Sequence, residues 1–180
     1  SIVVPTYNRA ARVAAAVRSV LLQTEQDYEC FVIDDGSTDD TRQRLQPFKD
    51  SRFHFLRNDA NRGQHHSRNR AIRQARGQWI AFLDSDDLFL PARLAELRGA
   101  IVARPETGFW FTNAYIYRYE RIIGMLFDPS RSIPEGTVPG YYAVGSRYLP
   151  YVTTTVALRR EAFFKTGFFR EDLRILEDTE

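Results

Sequence analysis

Trp79-Ile80-Ala81-Phe82-Leu83-Asp84-Ser85-Asp86-Asp87 decides the fold, because five apolar residues run straight into three carboxylates. The apolar part reads as a buried strand. Acid clustered at its end marks the carboxyl edge of a sheet, where open α/β folds bind ligands. Unpaired, such charges repel one another and raise their own pKa values. A divalent cation held by oxygen ligands relieves that repulsion, and Mg²⁺ or Mn²⁺ suits the set. Helix capping is the plainer explanation, but the spacing opposes it. Pro91 is favoured at a first helical position, which makes Leu90 the expected cap and leaves the carboxylates too far upstream. A metal- or ribose-binding role is therefore predicted.

Outward from this stretch, the same strand-then-helix unit recurs. Residues 1–5 form an apolar strand stopped by Pro5, and a helix follows from about Ala10 with Val13, Val17, Val20 and Leu21 on one face. Residues 30–33 make the next strand, broken by Gly36, with Ser37 and Asp40 spaced as a capping box. Residues 53–56 are a third strand. A helix over 64–76 should end at Gly77, a residue free to adopt positive φ. Pro91 should start a fourth helix carrying Leu94, Leu97 and Ile101. Four such units imply a parallel sheet with right-handed crossovers. After Gly108 the pattern changes to short strands at 109–111, 114–119 and 122–127. Residues 128–150 hold four prolines and three glycines and read as a long functional loop.

Composition bounds the problem. A chain of 180 residues, 43% hydrophobic and 27% charged, fits one globular domain. Its net charge of +2 gives no reason to expect a nucleic-acid partner. Arginine carries nearly all the positive charge, since Lys49 and Lys165 are the only lysines. Cys30 sits inside an apolar strand, so a small buried hydrophobe is the expectation, and a single cysteine suits a reducing compartment. No run approaches the roughly 18 apolar residues of a membrane helix. Both ends look cut, which suggests an excised domain.

Further candidates sit at the other strand ends. Asp34-Asp35-Gly36-Ser37-Thr38-Asp39 places Asp35 where a base or ribose would meet an acceptor, although every residue there also favours turns. In the first loop, Pro5-Thr6-Tyr7-Asn8-Arg9, Tyr7 could stack on a base. From Arg62 to Arg76 inclusive there are five arginines and no acid. Arg68, one turn into its helix, is the candidate for a pyrophosphate. His65 and His66 are adjacent on that helix and do not share a face, which argues against a metal pair. Glu177-Asp178 forms a last acid cluster whose geometry spacing alone does not reveal.

Taken together, these motifs resemble family 2 glycosyltransferases of the GT-A fold. The resemblance rests on residues 3–9, residues 32–39, Asn61-Arg62-Gly63 with Arg68-Asn69, residues 82–87, and Glu177-Asp178. It implies a Rossmann-like wound, mostly parallel sheet flanked by helices, with a smaller mixed or antiparallel C-terminal part. One catalytic domain over 1–180 is implied, with a nucleotide-binding half at 1–107 and the start of an acceptor-binding half at 108–180. The implied activity is inverting transfer of a hexosyl or N-acetylhexosaminyl group from a nucleotide diphosphate sugar, UDP-linked by preference, to an acceptor hydroxyl. The acceptor would be a glycan, lipid-linked or cell-envelope molecule of a bacterial pathway.

By the same resemblance, Pro5, Thr6, Tyr7, Arg9, Asp35, Arg68 and Asp84 would hold the nucleotide. Asp86 and Asp87 would bind Mg²⁺ or Mn²⁺. The Asp-x-Asp signature maps onto Asp84 and Asp86, while some relatives use the adjacent pair; Asp86 belongs to both alignments. Asp178 would be the general base. The implied location is cytoplasmic, or peripheral at the inner membrane face. A dinucleotide-dependent dehydrogenase is excluded, since its Gly-x-Gly-x-x-Gly turn is absent after the first strand. A phosphatase with an aspartate nucleophile would also use an acid-tipped strand but does not explain Tyr7 or the Asp35 turn; the stronger rival is a nucleotide-sugar-binding fragment without transferase activity.

Overall fold

The computed structural model describes residues 1–130, 136 and 152–172. Strands β1 (Ile2–Thr6), β2 (Cys30–Asp34), β3 (Phe53–Arg57) and β4 (Trp79–Phe82) are each followed by a helix. These helices are α1 (Ala10–Leu21), α2 (Thr41–Leu45), α3 (Gln64–Gln74) and α4 (Arg93–Ala103). Then come β5 (Phe109–Phe111), the hairpin β6 (Tyr115–Arg118) and β7 (Arg121–Met125), β8 (Val156–Arg159) and α5 (Arg160–Thr166). The main sheet has the order β3-β2-β1-β4-β8-β5, with the first four strands parallel and β8 antiparallel to both neighbours. β6 and β7 form a separate two-stranded sheet. The wound parallel sheet and the small antiparallel part expected from the sequence are both present.

Strand order fixes where a ligand can sit. The chain runs from β1 outward through β2 to β3, then crosses back to place β4 on the other side of β1. The β1–β4 boundary is therefore the switch point, and a crevice opens at its carboxyl ends. Pro5 lies there inside β1 rather than stopping it, paired in register with Ile33. Val3 accepts a bond from the Leu83 N–H, so Pro5, two residues on, faces the same side. β4 has ended by that level. The missing proline N–H thus breaks no ladder bond.

Alternation builds two cores. Ile2, Val4, Cys30 and Val32 pack with Val13, Val17 and Val20 of α1 on one face. Val3, Phe31, Ile33, Ile80 and Phe82 pack with Ala71 and Ile72 of α3 on the other. Burial pushes the Cys30 thiol up to about 12, as befits a small core hydrophobe.

Four local expectations need correcting. α3 ends at Gln74, because Ala75 is already extended, and Gly77 is not its cap. A Cβ on Gly77 would lie 2.6 Å from the backbone nitrogen of Ser1, so this glycine serves close packing. α4 begins at Arg93, and no side chain of its own N-terminus caps it; the buried Gln23 Oε1 accepts the Leu94 N–H from across the fold. Ser37 and Asp40 do not form a capping box, since Asp40 makes no side-chain cap bond and Ser37 instead accepts the Asn8 N–H at 2.9 Å. Finally, β8 was not foreseen. The 128–150 loop expectation lies mostly outside the described residues, as does Asp178.

Candidate functional site

The sheet gathers at one edge the predicted side chains that lie among the described residues, which leaves out Asp178. The Asp35 N–H donates to the Thr6 carbonyl at 2.8 Å, joining the tips of β1 and β2. Asn8, at φ 51°, accepts the Thr38 N–H through its Oδ1, and the Ala10 N–H donates to Asp39 Oδ2. The first loop and the second acidic loop are thereby clasped together. Tyr7, 43% exposed, presents its ring beside this clasp, while Thr6 is buried with its hydroxyl unpartnered.

Asp35 does not stand open. Its carboxylate accepts Asn58 Nδ2–H at 2.6 Å, the Gly63 N–H at 2.7 Å and the Arg62 N–H at 3.1 Å. It organises the loop leading into α3. Gly36, at φ 79°, makes that possible: a Cβ there would lie 2.7 Å from the Ala60 carbonyl carbon. Neighbouring Asp34 is fully buried, accepts the Ser37 N–H, and faces Arg57 Nε at 3.7 Å.

The three acids after β4 diverge. Asp84 Oδ1 accepts Arg68 Nη2–H at 2.8 Å, with the Arg68 side chain only 4% exposed. The guanidinium carbon lies 5.9 Å and 5.8 Å from the ring centroids of Phe82 and Phe169, close enough for cation–π attraction. Burying that cation would be costly without the Asp84 carboxylate. Asp86 points the other way, towards the first loop and α1, with Oδ2 3.6 Å from Arg12 and 4.0 Å from Arg9. Asp87 Oδ2 accepts the Thr154 hydroxyl at 2.6 Å, and that same hydroxyl accepts the Asp84 N–H at 3.1 Å.

These positions decide what the acids can hold. Among the described residues no three His, Cys, Asp or Glu side chains converge on one point, so a cage made wholly of protein is not formed. Mg²⁺ and Mn²⁺ do not require one. They commonly take one or two carboxylates and fill the remaining positions with substrate phosphate oxygens and water. Asp86, with 35% of its side chain exposed and no contact shorter than 3.6 Å to its arginines, fits that mode.

The two histidines of α3 serve the next segment instead. His65 stacks on Phe169, and burial, then Arg68, holds its pKa below the ordinary value. His66 Nδ1 lies 2.9 Å from Glu171, whose carboxyl is held low by bonds from Asn69 and then His66. Asn69 also grips the Phe169 backbone on both its N–H and its carbonyl. Arg12, Asn58 and Thr154 were missed by sequence reasoning. Arg12, in the first turn of α1 and three residues beyond Arg9, carried a readable signal. Asn58 and Thr154 did not, since only the fold brings them to the acids.

Solved structures that share this fold include glycosyltransferases of the GT-A fold. The chain matches the model for Glycosyl transferase family 2 over residues 1–169 and belongs to that family. It is 36% identical over 131 residues to WfgD of Escherichia coli, covering 73% of this chain and 51% of the relative. That relative is a UDP-Glc:alpha-D-GlcNAc-diphosphoundecaprenol beta-1,3-glucosyltransferase. Residues 1–349 of S. aureus TarS in complex with UDP superpose with a TM-score of 0.71 at 24% identity, covering 98% of this chain and 52% of that one. The mannosyltransferase PcManGT from Pyrobaculum calidifontis, in complex with GDP-Man and Mn2+, gives 0.67 at 21% identity, covering 96% and 47%. At these identities the structural likeness shows the fold. The chain thus spans about half the length of each.

Proposed function

We propose that this chain is the donor-binding part of an inverting glycosyltransferase that moves a hexosyl group from a UDP-sugar to a lipid-linked acceptor, assisted by Mg²⁺ or Mn²⁺. The observation that carries the reading is the acid turn at residues 84–87, set at the switch point between β1 and β4. WfgD, which takes UDP-Glc and a diphosphoundecaprenol acceptor, supports the donor and acceptor classes. The Mn2+ of the mannosyltransferase complex supports the metal.

In this reading Tyr7 stacks on the base, and Thr6 offers its unpartnered hydroxyl to the nucleoside. Pro5 keeps the crevice open. Asp35 acts on the nucleotide by shaping the 58–63 loop as well as by accepting from it. Arg68 holds Asp84 against the ribose side, and Arg9 turns from Asp86 to the diphosphate. Asp86, with Asp87 beside it, would hold the metal, which when bound neutralises charge on the leaving diphosphate. Asp178, outside the described residues, would take the proton from the acceptor hydroxyl on the opposite face, so that one displacement inverts the anomeric centre. Residues 1–107 would serve the donor and 108–180 begin the acceptor side.

Calorimetric titration with UDP-glucose, UDP-N-acetylglucosamine and GDP-mannose, with and without Mn²⁺, tests this. Metal-dependent binding of a UDP-sugar is expected, and Asp86→Ala should abolish the metal dependence while the circular dichroism spectrum stays unchanged. Binding without any transfer to a lipid-linked acceptor would favour a donor-binding fragment. A chain that binds none of the three is not a donor site at all.

A further inference from the structure

Thr154 lies 67 residues from Asp87 in sequence, yet its hydroxyl closes both ends of the acid turn. The turn is first closed on itself, with the Asp87 N–H donating to the Asp84 carbonyl at 3.0 Å. Thr154 Oγ1 then accepts the Asp84 N–H at 3.1 Å and donates its one proton to Asp87 Oδ2 at 2.6 Å. A hydroxyl has one proton to give, and here it goes to Asp87. Asp87 is therefore held with Oδ2 aimed at Thr154.

The anchor behind the hydroxyl is firm. Thr154 is 9% exposed in the 3-10 turn Thr153–Thr155, directly before β8. The Thr155 carbonyl accepts both the Thr112 N–H at 3.1 Å and Arg93 Nη2–H at 2.9 Å. Thr155 also bonds back to the Val152 carbonyl through its N–H and its hydroxyl. The acid turn thus hangs on a fixed point of the sheet's antiparallel side, with exposed Asp86 directed instead towards Arg9 and Arg12.

We infer that Thr154 is a positioning residue for metal and donor binding: it orients Asp87 and fixes the 84–87 turn so that Asp86 is presented to the cation. The metal role rests on the proposed function, whereas the hydrogen-bonded link does not. One hydroxyl bonds both the Asp84 N–H and the Asp87 carboxylate, so its loss should be felt at the metal without unfolding the chain.

The test uses the whole chain with Thr154→Val, which keeps the shape and removes the hydroxyl, and Thr154→Ser, which keeps the hydroxyl. Mn²⁺-dependent UDP binding, followed by calorimetry, should weaken about tenfold in Thr154→Val and return to within about twofold of wild type in Thr154→Ser, an expected scale for loss of one hydrogen bond. Asp87→Asn combined with Thr154→Val should be no weaker than the worse single variant, because the two act through one contact. Metal-free amide exchange supplies a second readout: the Asp84 N–H should lose protection in Thr154→Val and keep it in Thr154→Ser. Full protection of Asp84 in the valine variant overturns the link itself. Equal weakening by Val and Ser, additive effects with Asp87→Asn, or unchanged Mn²⁺ dependence overturns the positioning role. Wild-type protein that binds no UDP at any Mn²⁺ concentration overturns the proposed function, and the metal role of Thr154 with it, even if the Asp84 amide behaves as expected.

Discussion

β1 and β6 are both short, apolar-rich strands, yet every residue of β1 is buried and every residue of β6 is exposed. The difference is cover. β1 has paired strands on both edges and helices over both faces, whereas among the described residues β6 pairs with β7 alone. Tyr117 is 65% and Ile122 60% exposed, on directly opposed positions of the hairpin. A two-stranded sheet is marginal by itself. This one is held at its base, where Asn113 Nδ2 donates to the Phe127 carbonyl at 2.8 Å and Asn113 Oδ1 accepts the Phe127 N–H at 3.2 Å. Apolar content, then, does not determine burial here. The wound topology does.

Substitutions should separate the two regions by size of effect. Ile33→Ala, in a fully buried β2 position, should cost about 2–5 kcal/mol in urea unfolding; a loss no larger than that of a surface change would contradict the packing described. Gly36→Ala should follow at about 1–3 kcal/mol, from positive φ together with the approach to Ala60. It should also weaken donor binding, since the 58–63 loop must shift. Next comes acid stability. Glu29 is desolvated, which pushes its pKa up, but bonds from Ser1, Arg76 and Gly77 outweigh this and hold it at about 2 against 4.5 when unfolded. Its folded pKa is depressed, so its contribution is present above pH 4.5 and lost as pH falls towards about 2. Unfolding midpoints measured across that window should slope less in Glu29→Gln than in the wild type. Least of all, Ile122→Ser on the hairpin should move the midpoint by less than about 0.5 kcal/mol. A large loss there would mean that the hairpin is covered in solution.

Much of this fold was legible because its units are local. Apolar runs punctuated by glycine, proline and acid located β1 to β4 and the order of strand and helix, and the acids at their ends located the edge. What failed was whatever depends on a distant partner. β8 is four residues long, and it becomes a strand because β4 and β5 leave a gap that it fills. Gly77 looked like a helix end from its residue type, but its role is set by Ser1, far away in sequence. Asp35 was readable as a candidate, whereas its engagement by Asn58 and the 62–63 backbone was not. In the candidate site, then, the sequence pattern identified the acids and the fold identified what restrains them.

The arginines around the acid turn have a thermodynamic consequence. Asp84 is matched by Arg68, and Asp86 by Arg9 and Arg12, so three guanidiniums already stand against the three carboxylates of the turn. A divalent cation arriving alone would leave the pocket with two charges in excess, and a diphosphate arriving alone would leave it two short. Arriving together they cancel. Cation and nucleotide sugar should therefore each raise the other's affinity by the same factor, and the pocket would discriminate against either one without its counterpart.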